Sequence, residues 1–385
     1  MRPEALRAYL TAAAGGGGNA SSLHTSGRAA RRGVEESRER VAAALGARPS
    51  EVVFTAGGTE ADNLAVKGLY WSRNSADPRR TRVLVGAGEH PAVLDAAQWL
   101  ATHQGARRED LPLDSTGRVR PETLLAAVER DPGSVSLVSV MWANNEVGTI
   151  NPVAELAALA RSYGIPFHTD AVQAVGSVPV DFTAVGADAL SLSGHKVGGP
   201  VGAGALLLRR GLDLAPLLHG GGQERDVRSG TLDGPAIAAF ATAVDLAVAE
   251  QAAESARLSG LRDELVGRLR AVVPDAVLNG APPGADRLPG NAHLTFPACE
   301  GDSLLMLLDA RGIECSTGSA CSAGVAQPSH VLLAMGFGEE AARGCLRFSL
   351  GRTSTPSDVD ALVEAIGPVV ERARRASALA GSANR

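Results

Sequence analysis

The chain has 385 residues, room for roughly two or three domains and a large core. Apolar residues make up 45% and charged residues 21%, the balance of a soluble globular protein. A net charge of −5 offers no broad basic field for nucleic acid, and no run of about 18 apolar residues marks a membrane span. The opening stretch, "MRPEALRAYLTAAAGGGGNASS", lacks the apolar core and cleavage site of a signal peptide, so a cytoplasmic location is expected. From Gly27, "GRAARRGVEESRER" interleaves arginines with acids and predicts an exposed amphipathic helix. Six apolar runs then follow: "EVVFTAG", "RVLVGAG", "SVSLVSVMW", "IPFHTDA", "DALSLSG" and "GAGALLLRR". Between them lie "TEADNLAVKGLYW", "PAVLDAAQWLATHQ", "PETLLAAVER" and "NPVAELAALARSYG", with apolar residues at helical spacing. This alternation predicts an α/β domain built on a mostly parallel sheet buried on both faces, and the resemblance set out below implies the seven-stranded type. An alanine-rich helix is predicted over about 235–273. After it come fewer strands ("NAHLTFP", "GIECSTG", "CLRFSLG") and a last helix from about Ser357, the pattern of a smaller α+β domain.

In a parallel α/β sheet, ligands bind beyond the carboxyl ends of the strands. Five successive strand ends here carry polar groups: Gly57-Gly58-Thr59-Glu60, Glu89-His90, Asn144-Asn145-Glu146, Asp170 with Gln173 three residues on, and His195-Lys196. Gly58 and Thr59 at a helix start offer N–H groups and a hydroxyl to an anion. Ser193 and His195 can add donors to it. Asp170 can face a protonated ring nitrogen, and His90 can stack on an aromatic ring. Lys196 is one of only two lysines in the chain and stands in "SGHKVGG", placed to form a Schiff base with its amine pKa lowered by burial and nearby cations. A phosphate site, a carboxylate for a pyridinium and a Schiff-base lysine together specify pyridoxal 5'-phosphate. The other lysine, Lys67, falls inside a helical pattern and reads as a surface residue.

Nine ordered segments carry a resemblance: "GNASSLHTSGRAAR", "EVVFTAGGTEADNLAVKG", "GEHPAVLD", "MWANNEVGTINPV", "FHTDAVQAVG", "SLSGHKVGGPVGAGAL", "GGGQERDVRSGTLDGPAIAAF", "CSTGSACSAG" and "LRFSLGRTST". The chain resembles the cysteine desulfurases, class-V aminotransferase-like enzymes of fold type I. The resemblance implies a large cofactor-binding domain over residues 16–250 and a small α+β domain over 251–385, with residues 1–15 packing on the small one. It implies that Lys196 carries the cofactor and that Gly58, Thr59, Ser193 and His195 bind its phosphate, joined by Thr231 from the other subunit of a homodimer. Asp170 would pair with the ring nitrogen, Gln173 with the ring's phenolic oxygen, and His90 would stack on the ring and assist proton transfer. Asn145 and Arg347 would hold the carboxylate of the substrate, L-cysteine. Without the resemblance, Arg347 in "CLRFSLG" reads as a surface arginine. Relatives also carry an Ala-Thr-Thr-Pro-like turn upstream of "GGGGNASS" and a proline where Ala20 stands; a fuller start upstream is expected.

The four cysteines, Cys299, Cys315, Cys321 and Cys345, lack zinc-ligand spacing, and a reducing compartment argues against a disulfide framework. Cys299 and Cys345 adjoin strand-like runs and read as small buried hydrophobes. Cys315 is open between bystander and second acceptor. Cys321 lies in "TGSACSAGVAQP", a run of small residues without apolar periodicity, as a travelling nucleophile requires. The resemblance makes it the residue that takes the substrate's sulfur as a persulfide, in a loop of the long type. An iron–sulfur scaffold or a tRNA-thiolation enzyme would then collect the sulfur. No metal is expected beyond a transient iron–sulfur contact at Cys321. Two other readings stand beside this one. The first is a different lyase or aminotransferase on the same scaffold, such as a selenocysteine or cysteine-conjugate lyase. The second is a truncated, non-catalytic partner protein.

Overall fold

The computed structural model describes residues 1–15, 18–318 and 328–383. Two compact units divide the chain. The first comprises Met1–Leu111, Val119–Trp142 and Pro152–Ala252; the second comprises Pro112–Arg118, Ala143–Asn151 and Ala253–Arg385. The break therefore falls inside the long helix, and two short segments within 16–250 belong to the second unit. They are tied there by polar contacts: Thr149 Oγ1 donates to the Thr116 carbonyl at 2.5 Å, and Arg118 pairs with Asp286 at 2.9 Å.

The first unit holds strands β1 (Val52–Thr55), β2 (Arg82–Gly86), β3 (Arg107–Leu111), β4 (Val135–Ser139), β5 (Phe167–Asp170), β6 (Ala189–Ser193) and β7 (Gly204–Leu208). They form one sheet in the order β1-β7-β6-β5-β4-β2-β3. β3, β2, β4, β5 and β6 run parallel, and β7 runs antiparallel to both its neighbours. The six apolar runs became strands whose residues are all buried. The seventh, β3, was hidden from pattern reading because its sequence is "RREDL". It is the edge strand, where charge is protective, and its Glu109 pairs with Arg82 of β2 at 2.7 Å.

Helices α1 (Pro3–Ala14), α2 (Thr25–Ala44), α3 (Gly58–Ala76), α4 (Pro91–His103), α5 (Pro121–Glu129), α6 (Val153–Ser162) and α7 (Phe182–Val185) belong to the same unit. α3 packs Ala61, Leu64, Ala65 and Leu69 into the cluster that includes Val53, Val83, Val85 and Leu206. The arginine-rich run is α2 as expected, but Arg38 is not exposed. It is 2% exposed and bonds both carboxylate oxygens of fully buried Glu224, at 2.7 and 2.8 Å. Residues 1–15 were expected against the small domain and instead belong to the first unit. The Arg2 N–H donates to the Gly198 carbonyl at 2.7 Å, and its guanidinium meets Glu250 at 2.6 Å.

Helix α8 (Gly234–Val272) runs through the boundary. By length and composition alone it could cross a membrane. Its buried residues serve cores instead: Phe240 meets Phe54 edge to face at 6.3 Å, and Leu265 and Leu269 join the second unit's cluster. That unit contains a three-stranded antiparallel sheet, β8 (Val277–Leu278), β9 (Asn291–Thr295) and β10 (Cys345–Ser349), in the order β10-β9-β8. Helices α9 (Gly301–Asp309), α10 (His330–Ala334), α11 (Glu339–Arg343) and α12 (Pro356–Ala383) accompany it. "GIECSTG" is not a strand. Gly312 turns the chain at φ 75°, and only Ser316 bridges to β10, opposite Arg347.

Candidate active site

Strand β1 hands over to α3 through Ala56-Gly57. Gly57 is the helix cap, at φ 141°, a conformation that costs glycine little. A β-carbon there would stand 3.9 Å from Ser193 Oγ, and one on Gly58 would meet Val172 Cγ2 at 2.8 Å. The backbone is therefore bare where the first turn of a 19-residue helix points its N–H groups and positive dipole end. Thr59 follows at once. Ser193 ends β6, buried, with its hydroxyl 2.8 Å from His195 Nδ1. Gly194–Val197 then makes a single 3-10 turn that carries His195 and Lys196 outward, both exposed. Lys196 was expected to be buried; it is exposed. Burial of part of the His195 ring, and then the Lys196 charge, hold that imidazole below its ordinary pKa.

Asp170 closes β5, the neighbour of β6, and is 6% exposed. Its Oδ1 accepts the Val172 N–H at 2.8 Å. Burial raises its pKa to about 6, against the opposing pull of that hydrogen bond and of the Lys196 charge. Asp170 and Lys196 thus stand at the ends of neighbouring strands, a carboxylate for a ring nitrogen and an amine for an aldehyde. Gln173 is half-buried just beyond. His90 caps α4: its Nδ1 accepts the Ala92 N–H at 3.1 Å, which leaves the proton of the neutral ring on Nε2. His90 is exposed. Thr231 is exposed in the segment after β7. That segment is fixed at Glu224, whose carboxylate also accepts the Phe54 N–H at 2.9 Å, while Arg225 and Asp226 stand at φ 54° and 61°. Consecutive non-glycine residues in that region persist only where the surroundings fix them.

Asn145 and Arg347 lie in the second unit, and there they meet. The Arg347 guanidinium donates through Nη1 to the Asn145 carbonyl at 2.9 Å and through Nε to Ser349 Oγ at 3.1 Å. Arg347 is half-buried, not a surface arginine, and burial lowers its pKa while Glu146 opposes that. Cys321 lies outside the described residues. Cys299 and Cys345 are buried as expected; Cys345 Sγ donates to the Ala342 carbonyl at 3.1 Å, and burial pushes its pKa up to about 12. Cys315 packs against the second unit's core, and burial lifts its thiol to about 11, which disfavours the thiolate. Lys67 is half-buried, with Nζ 4.7 Å from the centre of the Trp99 ring. Among the described residues no cluster of metal-ligating side chains exists.

One layer beneath Asp170 lie groups that sequence reading passed over. His168, two residues back on the same face of β5, is fully buried, with Nδ1 2.8 Å from Ser139 Oγ and Nε2 2.9 Å from Ser191 Oγ. Asp62 of α3 stands 3.6 Å from its Nε2, and Glu89 accepts the Met141 N–H at 2.6 Å. A histidine inside the four-residue strand "FHTD" was the available signal.

The site thus has the parts of a pyridoxal-phosphate enzyme of fold type I: a glycine cradle at a helix start, a hydroxyl beside it, a buried carboxylate and, past the neighbouring strand, a lysine. Residues 3–362 match the family "Aminotransferase class-V". An IscS-like cysteine desulfurase of Mycobacterium tuberculosis is 57% identical over all of this chain and 97% of its own length. The cysteine desulfurase IscS of Methanosarcina thermophila is 42% identical over 98% of this chain and 91% of its own. A solved NifS-like protein superposes with a TM-score of 0.88 at 33% identity, covering 97% of this chain and 96% of that one. The chain belongs to the class-V aminotransferase family, in its cysteine desulfurase branch.

Proposed function

We propose that this protein is a pyridoxal-phosphate-dependent cysteine desulfurase that converts L-cysteine to L-alanine and passes the sulfur to Cys321 as a persulfide. The observation that carries the reading is the placement of exposed Lys196 just past β6 and buried Asp170 at the end of the neighbouring β5, with the bare Gly57-Gly58 turn at the end of β1. Bound there, the cofactor supplies an electron sink that makes the substrate's α-proton labile. The chain's own residues do the rest. Gly58, Thr59, Ser193 and His195 hold the phosphate, and Asp170 keeps the ring nitrogen protonated. Gln173 bonds the phenolic oxygen, and His90 stacks on the ring with an Nε2 proton to lend. Arg347 and Asn145 orient the substrate carboxylate. Lys196 would hold the cofactor covalently, and its amine would be the base that takes the α-proton. The Cys321 thiolate attacks the substrate sulfur. A new S–S bond forms as the Cβ–Sγ bond breaks, its electron pair staying on carbon, which is protonated to the methyl group of alanine.

Two finer points belong to the same reading. Thr231, exposed on a segment fixed by Glu224 and Arg38, serves the phosphate site of a second copy of the chain, so the working unit is a homodimer. The persulfide is handed to a protein acceptor of the kind that builds iron–sulfur clusters or thiolates tRNA, in the cytoplasm.

Incubation with L-cysteine tests the core of this. Wild type should yield equal alanine and thiol-bound sulfur, with the added 32-dalton mass confined to the Cys321 peptide. Equal alanine and sulfide from Cys321→Ser would remove the persulfide route and leave a plain lyase.

A further inference from the structure

Glu146 follows Asn145 in the second unit and is 3% exposed. A carboxylate so placed needs hydrogen-bond donors. Its backbone is fixed on both sides: the N–H donates to Asn144 Oδ1 at 2.9 Å, and the carbonyl accepts from Asn291 Nδ2 of β9 at 2.9 Å. Its side chain meets a residue 183 positions away, Ser329, whose hydroxyl donates to Oε2 at 2.5 Å. Ser329 is 1% exposed, and its oxygen also accepts the Leu332 N–H at 3.2 Å, so one hydroxyl caps α10 and bonds Glu146. A serine has a single proton to give, and Glu146 takes it.

Ser329 lies just past residues 319–327, which carry Cys321 and fall outside the described residues. The chain entering that segment is held as well. The Ser316 N–H donates to the Arg347 carbonyl at 3.1 Å, the Arg347 N–H donates to the Ser316 carbonyl at 2.6 Å, and Cys345 Sγ donates to the Thr317 carbonyl at 3.3 Å. Gly318 follows at φ 90°. A β-carbon there would stand 3.3 Å from Glu146 Oε2 and 2.9 Å from Nε2 of fully buried His293, so the place suits only glycine. Cys321 is three residues further on, at most about 11 Å of extended chain.

Both flanks of the segment are therefore joined to the pair assigned to the substrate carboxylate. Ser316 is bonded to Arg347, and Ser329 to the residue after Asn145. Arg347 Nη1 closes the circuit on the Asn145 carbonyl at 2.9 Å. We propose that Glu146 is a positioning residue for sulfur capture: by accepting the Ser329 hydroxyl beside Gly318, it sets the segment that carries Cys321 in register with the Asn145–Arg347 pair that holds the substrate. It acts through Ser329, and the inference rests on the desulfurase reading above. What position 146 must supply is an oxygen that accepts a hydrogen bond, which glutamine also has.

The test uses the holoenzyme with Ser329→Ala, Glu146→Leu and Glu146→Gln. Two quantities are read. One is the dissociation constant of L-cysteine, from titration of the cofactor's visible band in a Cys321→Ser background. The other is the single-turnover rate at which the 32-dalton mass appears on the Cys321 peptide. Misplacing a reacting atom by about 1 Å costs about 100-fold, so Ser329→Ala and Glu146→Leu should transfer sulfur about 10- to 100-fold more slowly. Both should still bind L-cysteine within about threefold of wild type. Glu146→Gln should transfer within about threefold of wild type. A merely structural contact would slow transfer and weaken binding in parallel, or move neither, and either result overturns the proposal. So does a glutamine variant as slow as the leucine one. Ser329→Ala also loses the α10 cap, whereas Glu146→Leu keeps it. If Glu146→Leu does not fold, the isosteric pair Ser329→Asn and Ser329→Asp decides, since both cap α10 and only asparagine can donate to Glu146. Asparagine should then transfer at least about tenfold faster, and equal rates overturn the proposal. A wild-type protein that makes alanine and puts no mass on Cys321 would defeat the desulfurase reading itself, a different outcome from slow transfer in a variant.

Discussion

Replacing Asp170 by asparagine should make the cofactor-free protein more stable while costing it the cofactor. Burial raises the Asp170 pKa from 3.8 to about 6, so the native state binds this proton more tightly than the unfolded chain does. Between those values the native state carries more protons, and stability must fall as pH rises. The difference between those two values, at about 1.36 kcal/mol per pH unit, puts the cost of ionising Asp170 at about 3 kcal/mol at neutral pH. Asparagine keeps the side-chain oxygen that accepts the Val172 N–H at 2.8 Å and carries no charge. Urea unfolding of cofactor-free wild type and Asp170→Asn at pH 4, 5, 6 and 7.5 reads the difference. The two proteins should be nearly equal at pH 4. The variant should gain progressively on wild type up to pH 7.5, by no more than about 3 kcal/mol. The same variant should retain pyridoxal phosphate about 10- to 100-fold less well, the worth of about 1.5–3 kcal/mol for a hydrogen bond to a charged group. A constant difference across the pH series, or a variant less stable than wild type at pH 7.5, would refute the argument that burial strains this carboxylate.

Lys196→Ala should abolish the visible band of the cofactor-loaded protein, whereas Lys67→Ala should leave it unchanged and cost only about 0.5–1 kcal/mol for the lost contact over Trp99, read by thermal unfolding. Arg38→Met leaves Glu224 buried without its cation, so stability should drop by about 3–5 kcal/mol, checked by denaturant midpoint. Cys345→Ala and Cys315→Ala should keep full persulfide formation, because both thiols stay protonated at neutral pH; peptide mass spectrometry after incubation with L-cysteine gives the answer.

Local signals carried much of this protein. Apolar runs such as "VVFT" and "GALLL" read as strands because both faces of the sheet are covered, so no polar residue interrupts them. The candidate cofactor residues were legible because they sit at strand ends, where polarity has no structural excuse. Glycines at 57 and 58 announced themselves by occurring where a helix begins. The charged edge strand β3 stayed invisible, since pattern reading equates charge with loop. So did Arg38, whose partner Glu224 is 186 residues away and whose burial no local window contains.

The sequence alone determined most of the order of strands and helices, the candidate lysine, carboxylate and phosphate-site groups at the strand ends, and the family the chain belongs to. Each of these rests on residues adjacent in the chain or on motifs of a few positions. Only the tertiary structure decided which groups are buried together. Asp62, Glu89, His168 and Asp170 come from separate elements, and nothing in any one segment says that they share a low-dielectric layer. Protonation depends on that shared environment, because the cost of a charge is set by the atoms around it and not by its neighbours along the chain.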